Sequence, residues 1–227
     1  MIYYTGDTHG NFDKIEDFIS NNNLTKDDTI VILGDAGFNY YGNSRDRLAK
    51  KWISEYGITI FCIHGNHEMR PQTINTYKQK LWNCGAVYYE EEFPNILFAP
   101  DGSLYELDGR KTIVIGGAYS VDKKYRLTRG WHWFPGEQPT DETKQCVRNW
   151  IERCHEVDQV LTHTCPLKYV PTEAFIPGID QSEVDRSTEE FLDEVEDKLN
   201  YSRWLCGHWH IDKSIDKIRF IMDDFIV

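Results

Sequence analysis

The sequence predicts an α/β fold with mixed sheets, on three observations. Short apolar runs alternate with amphipathic stretches through the opening part of the chain, the pattern of parallel β-α-β units with right-handed crossovers. Two strand-like runs then flank Asp108-Gly109, a dipeptide suited to a tight β-hairpin, so an antiparallel section follows the parallel one. After it, helical and strand patterns alternate again to the end.

The elements follow in order. "MIYYT" is a short β-rich opening, and "NFDKIEDFIS" sets Phe12, Ile15, Phe18 and Ile19 at helical spacing behind an Asn11 cap. "TIVILGD" is a buried strand ending in glycine and aspartate. "SRDRLAKKWISEYG" is a helix whose inward face is expected to be Leu48, Trp52, Ile53 and Tyr56, stopped by Gly57. "ITIFCIHGN" is the third strand, and "SLYELDGRKTIVIGG" the hairpin. "TDETKQCVRNWIERC" turns Val147, Trp150, Ile151 and Cys154 inward, and "VDQVLTH" is another buried strand. "STEEFLDEVEDKL" opens on a Ser187/Glu190 capping box and presents an acidic face, from Glu189 to Asp197, to solvent. "SRWLCGHWH" is a strand running into a turn, and the tail "KSIDKIRFIMDDFIV" forms further strands. Two connections, 119–139 and 165–186, have the length of binding loops. No repeat or low-complexity linker divides the chain, so residues 1–227 are expected to form one domain.

Composition narrows the class. With 40% hydrophobic and 27% charged residues the chain is of soluble globular type, and no apolar run reaches bilayer length. "MIYYTGDTHG" lacks the basic region and apolar core of a signal peptide. Six scattered cysteines without a CxxC pair point to reduced thiols and a cytoplasmic location. A net charge of −12 and a pI near 5.1 oppose broad electrostatic attraction to nucleic acid or to a membrane surface. Bound cations reverse that sign locally, so a phosphate substrate stays compatible with an acidic protein.

Polar residues gather where the strands end. The first strand runs into "GDTHG", with Asp7 and His9; the second into "GDAG", with Asp35; the third into "GNHE", with Asn66, His67 and Glu68. Later strands deliver His163 in "LTHT" and His208 and His210 in "GHWH". Ligands of open α/β sheets bind at the carboxyl ends of strands, so these side chains share one rim. Residues two apart in extended chain face the same side, which lets Asp-x-His and His-x-His each aim two donors into one volume. Glycines beside them permit tight turns and close backbone approach. Carboxylate, imidazole and amide donors form a mixed O/N set suited to Mn, Fe or Zn. Each motif alone has a plainer reading, Asp7 as a helix cap or His163 as a core histidine. Five strand ends in agreement favour a metal site.

The ordered set GDxHG, GD, GNHE, a single His and GHxH, spread from Gly6 to His210, resembles the calcineurin-like metallophosphoesterases. The resemblance implies a four-layer α-β-β-α sandwich holding two divalent metal ions, Mn first, with Fe, Zn or Ni as alternatives. It implies that Asp7, His9 and His210 hold one metal, that Asp35 bridges to the second, and that Asn66, His163 and His208 complete the second site. His67 becomes a proton donor near the substrate, and His64, on the strand side of Gly65, a bystander. The expected reaction is hydrolysis of a phosphate mono- or diester, a small molecule or nucleotide, by a hydroxide bridging the metals. A nuclease and a non-catalytic protein-binding scaffold are the alternatives; retention of every ligand and of His67 favours an enzyme.

One motif departs from the protein Ser/Thr phosphatase branch, which reads GDxxDRG. Here "GDAGFNY" puts Phe38 and Asn39 where that branch has Asp and Arg. The carboxylate that orients the proton donor and the arginine that clamps phosphate are both missing from this motif. Substrate contacts are therefore expected from the 119–139 segment, with Tyr119, Arg126 and Arg129 as candidates among its cations and aromatics.

Overall fold

The computed structural model describes residues 1–227. Strands β1 (Ile2–Thr5), β2 (Thr29–Ile32) and β3 (Thr59–Cys62) pair in parallel, with helices α1 (Asp13–Asn22) and α2 (Ser44–Ser54) as the crossovers. β6 (Phe93–Phe98) extends this sheet in parallel, and β5 (Gly85–Glu90) and β4 (Tyr77–Trp82) complete it antiparallel. The second sheet centres on β8 (Arg110–Ile115), β9 (Gln159–Thr162), β10 (Arg203–Cys206) and β12 (Ile218–Phe220), all parallel. Its antiparallel edges are β7 (Ser103–Leu107) and β11 (Lys213–Ile215).

The layering follows from the period of two along each strand. In β2 and β3, Val31 and Phe61 face the second sheet and meet Val114, Leu161 and Leu205. Ile30, Ile32, Ile60 and Cys62 face the other way, against Ile15 and Ile19 of α1 and Ile53 of α2. On the far side, α4 (Asp141–Arg153) and α5 (Ser187–Lys198) cover the second sheet with Val147, Ile151, Phe191, Leu192 and Val195. Three apolar interlayers therefore stack four layers, α-β-β-α, as the resemblance implied. Asp108 and Gly109 both take positive φ (48° and 72°) and close the β7–β8 hairpin as expected.

Several local expectations are corrected. The inward face of α2 is Asp46, Lys50 and Ile53, while Leu48 is 64% and Trp52 53% exposed. Asp46 is buried because its carboxylate accepts the Tyr41 and Gly42 N–H groups; Lys50 is buried because Nζ reaches Glu90 Oε2 at 2.5 Å. Partnered polar residues occupy the core stripe, so apolar spacing selects the wrong face. On α5, Ser187 is the first helical residue, not the cap, and its N–H is held by Asp185 Oδ1 at 2.9 Å. Glu189 is not solvated but buried, accepting from Thr164 Oγ1. The 119–139 connection contains a further helix, α3 (Lys123–Arg129). The β4–β5 hairpin turns on Asn83 and Cys84, both at positive φ, and the Cys hides the usual glycine signature.

Candidate metal centre

Loops leaving β1, β2, β3, β9 and β10 bring Asp7, His9, Asp35, Asn66, His163, His208 and His210 to one rim. Asp7 and Asp35 are nearly inaccessible, whereas His9 and His210 form the open side. His210 Nε2 lies 3.4 Å and His9 Nε2 3.6 Å from Asp7 Oδ2, and the two ring nitrogens are 3.0 Å apart. Asp35 Oδ2 stands between the two halves of the site, 3.8 Å from His9 Nδ1 and 3.7 Å from His163 Nε2. Asp7, His9 and His210 have donor atoms within 4.8 Å of one another, and so do Asp7, Asp35 and His163. His208 packs its ring 4.9 Å from that of His163 and donates its backbone N–H to Asp7 Oδ1.

Whether these residues suit cations is decided by hydrogen-bond bookkeeping around His163. Its Nδ1 lies 2.8 Å from the Leu33 carbonyl, which can only accept, so Nδ1 carries the proton and Nε2 a lone pair. Nε2 then faces Asn66 Oδ1 at 2.8 Å, and Asn66 is fixed in that orientation because its amide donates to Ser120 Oγ. Two electron-pair donors in contact need a proton or a metal cation between them. His9 Nε2 and His210 Nε2 repeat the arrangement beside two carboxylates, and Asp7 Oδ2 has no hydrogen-bond partner. Two divalent cations meet all of these needs together.

Titration follows the same electrostatics. Burial acting alone would raise Asp7, but the surrounding His163, His210 and His9 hold it well below the usual carboxylate range. The Asp7 carboxylate beside it raises His210, whereas burial pushes His208 well below an ordinary imidazole. His64 is likewise pushed down by burial, and neither of its nitrogens reaches a partner. The backbone is constrained too: His9, Asp35, His208 and His210 adopt φ of 49°, 46°, 67° and 51°, a region non-glycine residues seldom occupy. The glycines act mainly as space. A Cβ on Gly65 would lie 2.0 Å from Asp35 Oδ1, and one on Gly34 2.0 Å from His163 Nδ1.

A family model described as calcineurin-like phosphoesterase matches residues 1–212. The chain belongs to this family. Its fold is shared by the crystal structure of TT1561 of Thermus thermophilus, at 13% identity and TM-score 0.51, covering 97% of this chain and 87% of that one. A second crystal structure matches at 14% identity and TM-score 0.55, with 97% and 88% covered. No curated protein matches.

In this phosphoesterase the residues that replace the missing Asp and Arg are structural. Phe38 is fully buried and stacked on Phe12 at 4.7 Å, and Asn39 accepts from Tyr77 Oη at 3.0 Å. Their place at the site is taken by α3. Arg126 Nη2 donates to His67 Nε2 at 3.2 Å, and Arg126 Nε is held by Asp122 Oδ2 at 2.7 Å. Burial pushes His67 below an ordinary imidazole, Asp35 and Asp122 oppose that, and Arg126 reinforces it. Glu68 points away, into the interior under the Gly65 N–H, where burial and the Asp35 charge raise it to about 8.

Two cavities meet at Asp35, His67 and Arg126. One, of about 380 Å³, runs under the 165–186 segment and includes Tyr119. The other, of about 490 Å³, lies toward α2 and is walled by Tyr40, Tyr41, Arg45 and Trp131. Arg129 lies over the Tyr125 ring and lines neither cavity. Sequence reasoning missed Asp122, Ser120, Tyr40, Tyr41, Arg45 and Glu189 at the site. Only the Asp122-to-Arg126 spacing of four, a helical ion pair, was available as a signal.

Proposed function

We propose that this phosphoesterase hydrolyses phosphate mono- or diesters, and that nucleotide-derived diesters suit its site best. The observation carrying the choice is that the centre opens on two sides, so a phosphate bound there has room for a substituent in each cavity. A monoester would fill only one.

Asp7, His9, Asp35, Asn66, His163, His208 and His210 would hold two divalent cations, Mn first, whose Lewis acidity would serve the phosphoryl oxygens and a water molecule. The remaining steps belong to the chain. Asp35 sets the spacing between the two halves of the site. Arg126 is poised one hydrogen bond from His67, and a phosphate, as the stronger acceptor, draws the guanidinium onto its own oxygens. That transfer removes one of the two donors facing His67 Nε2, the other being the Asn66 amide at 3.2 Å, and the phosphate charge nearby favours the imidazolium. Water adds to phosphorus, the ester P–O bond breaks in line, and the departing oxygen takes the His67 proton.

A nuclease is the second reading, favoured by the aromatic and cationic wall of Tyr40, Tyr41, Arg45 and Trp131, which suits stacked bases. All six cysteines are unpaired, which supports a reducing, cytoplasmic setting. No helix is long and apolar enough to cross a membrane.

The test is a Mn²⁺-supplemented panel of p-nitrophenyl phosphate, bis-p-nitrophenyl phosphate and single-stranded nucleic acid, with Asp35→Asn and His67→Ala beside wild type. Hydrolysis of the diester, lost in Asp35→Asn and slowed in His67→Ala, is expected. No hydrolysis of any substrate by wild type returns the scaffold reading; His67→Ala acting like wild type removes the proton-donor role.

A further inference from the structure

The two cavities that meet at the metal centre differ in kind, and the difference sorts the two arms of a diester. Under the 165–186 segment the outer wall is largely hydrocarbon, with Val121, Phe175, Ile176, Ile179 and Val184 beside the Trp209 ring. These side chains are not packed away in the core. Phe175, Ile179 and Val184 are half-buried and Ile176 is 56% exposed, so their apolar surface faces water until a ligand covers it. Polar groups beside the wall are engaged or turned inward. Glu189 is buried and accepts from Thr164 Oγ1, and the Trp209 indole N–H lies by the buried Cys165 thiol. Arg186 lies over Phe175 at 5.4 Å and donates to Gln181 Oε1.

Toward α2 the wall is of the opposite kind. Arg45 is exposed, forms no ion pair and lies over the Tyr41 ring at 4.9 Å. Tyr40 Oη accepts from Arg126 Nη1 at 3.3 Å, so its own O–H is left to donate. An unpaired cation and a free hydroxyl suit an anionic or hydroxylated substituent. The hydrocarbon wall offers such a group nothing: a polar arm loses its water there without replacement, whereas an apolar arm gains from every methylene it buries. The cavity under the 165–186 segment, about 380 Å³, is near the lower end of small-ligand sites, which fits a short chain or a single ring.

We propose that the cavity under the 165–186 segment is the subsite for an apolar ester arm, alkyl or aryl, of a phosphodiester whose polar arm lies toward α2. This rests on the phosphoester reading above and narrows its substrate class to diesters with two unlike arms.

Alkylphosphonates test it without turnover, because their P–C bond is not an ester bond. Mn²⁺-loaded protein is titrated by calorimetry with methyl-, ethyl-, propyl- and butylphosphonate. Each added methylene is expected to tighten binding about two- to fourfold, with a heat-capacity change that grows more negative along the series. Ile179→Asp places a charge in the wall and Phe175→Ala removes a ring from it. Each is expected to lower the butyl-to-methyl affinity ratio about fivefold or more. Tyr41→Ser, in the other cavity, is expected to leave that ratio as in wild type. A flat series overturns the proposal, as does the absence of phosphonate binding, or a slope lost in Tyr41→Ser but kept in Ile179→Asp. The outcomes separate from those of the proposed function. A chain-length slope that depends on Ile179, in a protein that hydrolyses no ester, leaves the subsite standing and removes the enzyme; diester hydrolysis beside a flat series does the reverse.

Discussion

Arg126→Ala isolates the contribution of α3 to the reaction. The Arg126 side chain is only 13% exposed, Nη2 sits 3.2 Å from His67 Nε2, and Nε is anchored 2.7 Å from Asp122 Oδ2. A pre-oriented cationic donor aimed at developing phosphoryl charge is worth about 3–4 kcal/mol, so kcat is expected to fall about 10²–10³-fold. Asp122 acts only through the guanidinium it holds. Losing that charge-assisted hydrogen bond in Asp122→Asn is worth about 1.5 kcal/mol, roughly tenfold in rate. The double variant is expected to match Arg126→Ala, because a positioning residue has nothing left to position. Helix α3 buries no residue, so melting temperatures should stay within about 2 °C of wild type. The assay is steady-state hydrolysis of bis-p-nitrophenyl phosphate with saturating Mn²⁺, each variant checked by thermal melting. An Arg126→Ala enzyme within threefold of wild type, or an Asp122→Asn effect persisting in full on the Arg126→Ala background, refutes the clamp.

Removing divalent cations with a chelator should lower the melting temperature by about 5–10 °C and Mn²⁺ should restore it, since ligand at a hundredfold its Kd adds about 2.7 kcal/mol; Asp35→Asn should respond far less, read by scanning fluorimetry. Burial holds the Glu189 carboxyl above its ordinary value of 4.5, so the folded protein binds that proton more tightly than the unfolded chain. Wild type therefore loses stability as pH rises from the unfolded value through the folded one. Glu189→Gln does not titrate and should melt higher than wild type at pH 8 but equally at about pH 4 in chelator; equal melting at both refutes the burial argument. On α2, Trp52→Glu and Leu48→Lys should change stability by no more than about 0.5 kcal/mol, whereas Ile53→Ala should cost about 2–5 kcal/mol, measured by urea unfolding.

That contrast on α2 shows where sequence reading stops. The parallel strands were legible because burial on both faces leaves continuous apolar runs, as in "TIVILG" and "ITIFCI". The face of α2 was not, because a buried lysine paired with Glu90 and a buried aspartate capping backbone amides look, in sequence, like solvated charges. Glu189 was hidden in the same way, within a run of acids whose other members are more exposed. β4 to β6 went unread because β4 is largely exposed and its hairpin turns on Asn83-Cys84.

The site divides along the same line. The candidate metal ligands were legible because each stands at a strand end, five in order, and all but His163, between Thr162 and Thr164, sit at a left-handed or glycine-flanked turn. The residues around the ligands obey no local rule. Ser120 orients Asn66 across 54 positions of sequence, and Arg126 reaches His67 across 59, each from a connection whose path is set by tertiary packing. The absent Asp and Arg of "GDAGFNY" therefore predicted a vacancy that the fold fills from elsewhere. An ion pair one helical turn long brings both charges back to His67 from the opposite sheet's connection, which frees Phe38 and Asn39 to serve the core. Arg126 belongs to the 119–139 segment, which also borders both cavities, so in the proposed mechanism phosphate binding and the choice of its substituents share one element. Changes in α3 should therefore alter which ester is hydrolysed along with how fast, and parallel profiles for mono- and diesters across Arg126 and Asp122 variants would argue against that coupling.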